Sequence, residues 1–185
     1  MNLRTDIPMT KEAFLRWVQR QEGNYEYVRG KVVMMVRVTR NHGFVTRNLL
    51  LLLSERLSSD QWNVFADALA VDIGESIRCP DIVVEPVGGE GSSVFTDAPV
   101  LLAEVLSPSS LETDLHEKAE EYTALPSLQA YVVLAQDEPR LWVWQRDGDG
   151  LFPRAGEMIE GSDAVLELPA LGIELPLVAI YRGVR

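Results

Sequence analysis

Val100-Leu101-Leu102-Ala103-Glu104-Val105-Leu106, followed at once by Ser107-Pro108-Ser109-Ser110, is the stretch that decides the fold. Seven residues are too few for an ordinary helix, and an almost unbroken apolar run marks a strand covered on both faces, hence central in its sheet. The Ser-Pro segment breaks the run, and a helix is expected over residues 111–125, stopped by Pro126, with Leu115, Ala119 and Tyr122 facing inward. Tyr131 to Ala135 and Leu141 to Gln145 read as two further strands. A helix between central strands favours a mixed α/β sheet over a β-sandwich or a helical bundle.

Upstream, Thr10 is expected to cap a helix reaching about Gln21. Tyr25 to Val28, Arg29-Gly30 and Lys31 to Val38 form a hairpin pattern. Asn41 is placed to cap a second helix that ends near Ser58, with Leu49, Leu50, Leu52, Leu53 and Leu57 as its buried surface. Asn63 to Val71 and Ile82 to Val87 have strand composition. The Asp147-Gly148-Asp149-Gly150 turn leads to a strand-poor tail in which Leu171 to Leu177 supplies a final short strand. Trp142 and Trp144 alternate with Leu141 and Val143, which suits packing better than base stacking.

Composition excludes several classes. The 185 residues, 46% hydrophobic and 24% charged, are expected to make one soluble domain spanning 1–185. No apolar run approaches the roughly 20 residues that cross a bilayer, and Met1 to Lys11 has no apolar centre like that of a secretory signal, so no membrane partner is expected and the location is read as cytoplasmic. One cysteine, Cys79, and two histidines, His42 and His116, exclude a disulfide framework and a Cys/His zinc site. Gly88-Gly89-Glu90-Gly91 lacks the Lys-Ser/Thr of a phosphate-binding loop, and Ser107 and Ser109 lack a nucleophile elbow. The net charge of −11 argues against a nucleic-acid partner on average. Its distribution is uneven: residues 27–58 carry Arg29, Lys31, Arg37, Arg40, Arg47 and Arg56 against Glu55 alone, which allows a basic surface on an acidic body or an ordinary solvated face.

Two carboxylates stand out. Asp81 directly precedes Ile82-Val83-Val84, and Glu104 interrupts the central apolar run. Burying either ion costs several kcal/mol unless a cation or strong donors compensate. A shared divalent metal held by oxygen would do so, with Mg²⁺ expected and Mn²⁺ as a substitute. Asp114, Lys118 and Tyr122 share a helix face, so the ammonium of Lys118, one of three lysines in the chain, can point at the strand ends. The competing reading is a helix salt bridge to Asp114 or a neighbouring glutamate. Glu85 lies four residues after Asp81 and is a weaker candidate on the same face.

The ordered segments Tyr25-Glu26-Tyr27-Val28-Arg29-Gly30-Lys31-Val32-Val33-Met34, Asn41-His42-Gly43, Pro80-Asp81-Ile82-Val83-Val84 and Glu104-Val105-Leu106-Ser107-Pro108-Ser109-Ser110, followed by Asp114, Lys118 and Tyr122, resemble the Uma-type family of putative restriction endonucleases. The resemblance covers about residues 10 to 146. It implies the restriction-endonuclease-like fold of the PD-(D/E)XK nuclease superfamily, a mixed central sheet flanked by helices, here with an N-terminal helix and hairpin. It also implies metal-dependent hydrolysis of phosphodiester bonds, with DNA as the expected substrate. By position Asp81 and Glu104 become metal ligands and catalytic residues, the carbonyl of Val105 a further ligand, and Lys118 the catalytic cation. One departure is that the superfamily's lysine two residues after the acidic residue is replaced by Leu106. Glu26, within the family-like Tyr-Glu segment, is a candidate additional ligand or water-positioning group, unless it pairs with Arg29 or Lys31. His42 can touch a phosphate or assist proton transfer, unless it serves only as a capping residue. The alternative function is a catalytically inactive module on the same fold that binds nucleic acid or protein, and a third is a structural homo-oligomer. A homodimer would suit double-strand cleavage.

Overall fold

The apolar run forms the strand at the centre of a six-stranded sheet. In the computed structural model, which describes residues 4–5, 9–35, 37–107 and 113–185, that sheet is built from β4 (Trp62–Ala66), β7 (Ile82–Pro86), β9 (Leu101–Val105), β10 (Ala130–Leu134), β11 (Arg140–Gln145) and β12 (Glu157–Glu160). The order is β12-β11-β10-β9-β7-β4, and of its pairings only β9–β10 is parallel. A parallel pair needs a crossover. Here the crossover carries a π turn at Thr113–Glu117 that runs into α3 (Lys118–Thr123). The helix expected over 111–125 is therefore shorter and begins as a wider coil, while the break at Pro108 to Ser110 and residues 111 and 112 lie outside the described residues.

Alternation along β9 divides the core. Leu101, Ala103 and Val105 face Val45, Leu49 and Leu53 of α2 (Arg40–Arg56), together with the short C-terminal helix α4 (Leu177–Ile180). Leu102 and Leu106 face the other way, onto Tyr122 of α3, Tyr131 and Trp144. Glu104 belongs to this second register, and the packing on both sides leaves it 4% exposed.

A second sheet, in the order β1-β3-β2-β6-β5-β8, consists of β1 (Arg4–Thr5), β2 (Tyr25–Val28), β3 (Lys31–Met34), β5 (Ala70–Asp72), β6 (Ser76–Arg78) and β8 (Phe95–Thr96). Its hairpin has the expected two-residue turn, Arg29 at φ 46° and Gly30 at φ 89°, the left-handed pair that matches strand twist. α1 (Lys11–Val18) covers this sheet with Phe14 against Tyr27, Val32 and Ile77. Thr10 caps α1 through the N–H of Ala13.

The structure corrects three further expectations and adds one strand. α2 is capped by Thr39, whose Oγ1 accepts the His42 N–H at 3.2 Å, and not by Asn41, whose amide is taken by Asp137 and Arg185. Asn63 to Val71 is two strands in different sheets, parted at Asp67, a non-glycine residue at φ 52°. Ser76–Arg78 is a strand that the punctuation around Gly74 and Pro80 obscured. The tail is not strand-poor: β12, β13 (Val165–Leu168) and β14 (Ile173–Pro176) occupy it, the last as expected. β6 has only three residues, and β12 and β13 are four-residue strands with exposed charged positions, so none carries a sustained apolar signal.

Trp144 is a core residue, 5% exposed, stacked at 5.4 Å on Tyr131. Gly156 lies flat against its ring: a Cβ there would sit 2.9 Å from three indole atoms. Gly156→Ala is therefore expected to destabilise the fold by about 1–3 kcal/mol through overpacking, read as a lower urea midpoint with unchanged m-value. A wild-type midpoint would show that the indole can move.

Cys79 borders an apolar cavity of about 210 Å³ between α1 and residues 67–70. Burial, helped by the Glu26 carboxylate, pushes its thiol up to about 12. At pH 8 alkylation by iodoacetamide is thus expected to run about a thousandfold slower in the native protein than in the unfolded chain, rising tenfold per pH unit up to pH 10. Equal rates would refute the burial of this thiol.

Candidate active site

The carboxylates meet because β7 and β9 are antiparallel neighbours. Ile82 pairs with Ala103 and Val83 with Leu102, so the same register sets Asp81, one residue before β7, opposite Glu104. Asp81 is 5% exposed. Its Oδ2 accepts the Val105 N–H at 2.6 Å and its Oδ1 lies 3.1 Å from Nε2 of His42. The helix cap at Thr39 fixes the first turn of α2 so that His42 faces this end of the sheet. His42 Nδ1 is buried with no hydrogen-bond partner among the described residues.

Glu104 receives Lys118 Nζ at 2.9 Å and the Tyr122 hydroxyl at 3.0 Å, both on Oε1. Lys118 also lies 3.0 Å from Asp114 Oδ1 and 3.8 Å from Glu26 Oε1. The helix salt bridge weighed in the sequence therefore exists, and the contact with Glu104 exists beside it. The π turn brings Asp114 to the ammonium, and the Tyr131 hydroxyl, donating to the Asp114 carbonyl at 3.0 Å, ties that turn to β10. Leu106, where the superfamily pattern has lysine, is buried in the apolar cluster around Tyr122. The ammonium arrives instead from the helix.

Glu26 is paired neither with Arg29 nor with Lys31. Its Oε2 accepts from Arg78 at 3.1 Å and its Oε1 accepts the Cys79 N–H at 3.1 Å. Arg78, 3% exposed, also places Nε and Nη2 at 2.7 Å from Glu121 Oε2 on α3. The sequence reading passed over this arginine, because it sits on a strand that was itself unread. It also passed over Asp67, whose N–H donates to the Asp81 carbonyl at 3.1 Å and whose carboxyl is raised by burial and by Asp81. Glu85, at the other end of β7, approaches Asn63 at 3.5 Å and is not part of this group.

Charge sets the behaviour of the cluster. Glu26, Asp81, Glu104 and Asp114 are all buried, and the permanent cations among them are Lys118 and Arg78. Burial pushes the Glu104 carboxyl well above the usual carboxylate range, with Asp114, Asp81 and Glu26 adding to it and Lys118 opposing. Burial alone would lower Lys118, but Glu104, Glu26 and Asp114 outweigh it and hold the ammonium charged above its ordinary range. The centre is short of positive charge. Among the described residues no three acidic, histidine or cysteine side chains converge into a ready metal cage. Two carboxylates with a main-chain carbonyl and water do fit Mg²⁺, which keeps much of its hydration and takes few protein ligands. No helix among the described residues is long and apolar enough to cross a membrane.

Two proteins of Synechocystis sp. are similar to this chain over most of its length. The uncharacterized protein slr1290 is 28% identical over 95% of this chain and 92% of its own length, and the uncharacterized protein sll1609 is 29% identical over 76% and 82%. Its fold is that of a crystal structure described as a putative nuclease belonging to DUF820 from Anabaena variabilis, with a TM-score of 0.77 and 18% identity over 94% of this chain and 98% of the other. The sequence also matches the Uma2 family, described as "Putative restriction endonuclease", over residues 11–177. Because that match runs unbroken from the first helix to the start of the last and takes in every residue of the buried carboxylate cluster, the chain belongs to the Uma2 family.

Proposed function

We propose that the protein is a metal-dependent endonuclease that hydrolyses phosphodiester bonds of DNA. The observation that carries the reading is the Lys118 ammonium 2.9 Å from Glu104, at the sheet end where Asp81 lies opposite Glu104. The family description and the nuclease name of the structural relative support it.

Mg²⁺, or Mn²⁺ in its place, would be held by Asp81, Glu104 and the Val105 carbonyl, and when bound supplies phosphate polarisation and a lowered water pKa. The remaining chemistry belongs to side chains. Each carboxylate oxygen has more than one lone pair, so the bonds from His42, Val105 and Tyr122 orient Asp81 and Glu104 without exhausting them. Lys118, held charged, is a donor and not a base. It is suited to orient the attacking water and to offset charge on the pentacovalent phosphorus. Glu26, kept in place by Arg78, stands behind Lys118 and tethers the ammonium to the second sheet. His42 holds one oxygen of Asp81 through Nε2 and keeps Nδ1 buried without a partner among the described residues, suited to a water.

Supercoiled plasmid with Mg²⁺ or Mn²⁺ tests this. Wild-type protein is expected to nick it, EDTA to abolish nicking, and Asp81→Asn and Lys118→Met each to lower the rate by about 10²–10³. Equal nicking by all three proteins would assign the activity to a contaminant, and salt-sensitive binding without cleavage would favour the inactive module.

Stability supplies a separate test. Lys118→Met leaves Glu104 and Asp114 buried beside no lysine, at an expected cost of about 3–5 kcal/mol in urea unfolding without metal. Adding Glu104→Gln is expected to restore part of that loss, a coupling that a double-mutant cycle reads directly. Strict additivity would mean that the two side chains do not interact.

A further inference from the structure

α2 has two working sides. Its inward stripe of His42, Val45 and Leu49 packs on the central sheet, with His42 at Asp81. The outward side carries Arg40 and Arg47, seven residues and so two turns apart, about 10 Å along the helix axis and within about 20° of one another. Both are exposed, as is Arg37 just before the helix. Among the described residues none of the three has a carboxylate partner, whereas Arg29, Arg78 and Arg140 do.

A fourth exposed arginine without a carboxylate partner among the described residues, Arg182, has its backbone fixed onto the same helix. Asn48, 7% exposed, donates to the carbonyls of Ile180 and Arg182 at 2.8 and 2.9 Å. Its Oδ1 accepts from Arg47 Nη2 at 2.8 Å, so one buried amide ties the Arg47 guanidinium to the backbone of Arg182. Phe44 completes the joint, with the Arg47 guanidinium 5.1 Å from its ring centre and Gly183 against the ring. An arginine whose guanidinium is held by a buried amide, as that of Arg47 is, forfeits less side-chain freedom on binding than a free surface arginine.

We infer that Arg40 and Arg47, on the outer side of the helix that delivers His42 to Asp81, together with Arg182, whose backbone is tied to that helix through Asn48, form the surface that receives the phosphate backbone of duplex DNA. The inference rests on the nuclease reading for its choice of DNA. The fit is one of charge and spacing. About 10 Å along α2 spans roughly three phosphates of one strand at about 3.4 Å of duplex axis each. Arg40 opens α2 and His42 lies in its first turn on the opposite side, so the N-terminal end of this surface borders the turn that carries His42. Asp137, which accepts from Asn41 at 3.1 Å, marks the acidic edge of the surface.

The test is fluorescence anisotropy with a labelled duplex DNA in EDTA, so that binding is measured without turnover, between about 50 and 200 mM salt. The triple variant Arg40→Gln, Arg47→Gln, Arg182→Gln is expected to weaken binding by on the order of tenfold or more and to lower the log–log salt slope by about 2–3, close to one per lost phosphate contact. Arg154→Gln, an exposed arginine on the loop before β12, should leave the slope unchanged. Melting curves of the variants verify folding. An unchanged slope in the triple variant, no salt-sensitive binding by wild type, or an effect on duplex RNA but not on duplex DNA would each overturn the surface. Plasmid nicking in Mg²⁺, run in parallel, separates the two readings. Reduced DNA binding with no cleavage by any protein keeps the surface and removes the nuclease, whereas Asp81-dependent cleavage with unaltered binding by the triple variant does the reverse.

Discussion

Everything at the sheet end depends on keeping four buried carboxylates in a space that holds two permanent cations. An ion buried without a partner is costly, and removing one partner of a buried pair commonly costs more than the pair ever contributed. The fold meets this constraint by drawing its cations from separate elements, Lys118 from the crossover helix and Arg78 from the second sheet. Each bridges carboxylates from separate elements: Lys118 joins Glu104 to Asp114 and reaches Glu26, and Arg78 joins Glu26 to Glu121. Helix, central sheet and hairpin are thereby locked together by charge at the place where apolar packing is interrupted.

Topology explains why the lysine comes from a helix. The parallel pair β9–β10 obliges the chain to cross over one face of the sheet, and that face is the one onto which Glu104 projects. The π turn shifts Asp114 toward Lys118 at the start of the crossover, and Tyr122, one turn beyond Lys118, reaches the same oxygen of Glu104. A lysine on β9 itself, at position 106, would project on the same face two residues away. Leu106 there extends the apolar cluster under α3, so the sheet keeps its packing while the helix supplies the charge.

This much was legible in the sequence, and the reasons are local. The period of β9 and the four-residue spacing from Asp114 to Lys118 to Tyr122 are properties of contiguous chain, so periodicity alone could orient them. The hairpin at Arg29-Gly30 was equally local. What stayed hidden depends on distant pairing. Glu26 turns to Arg78 and not to its hairpin neighbours because β2 pairs with β6, a strand too short to announce itself. The cap of α2 turned on Thr39 against Asn41, two good caps two residues apart, and Asn41 was claimed by Asp137 and Arg185 from far along the chain. Asp67 in a left-handed conformation ends β4 where no glycine warned of a turn.

The acidic balance of the chain bears on nucleic-acid binding less than its value suggests. The buried cluster of Glu26, Asp81, Glu104 and Asp114 with Lys118 and Arg78 accounts for only a small part of the net −11, so the surface as a whole stays acidic and what matters is where its charges lie. What an approaching polyanion meets is set by exposed groups within about 10 Å, the screening length at ordinary salt. Over the first half of α2 those groups are Arg40 and Arg47, and the helical period places them opposite the stripe that holds His42 against Asp81. One helix can therefore face acidic chemistry on its inner side and phosphate on its outer side, because its own backbone and apolar stripe keep the two charge populations apart.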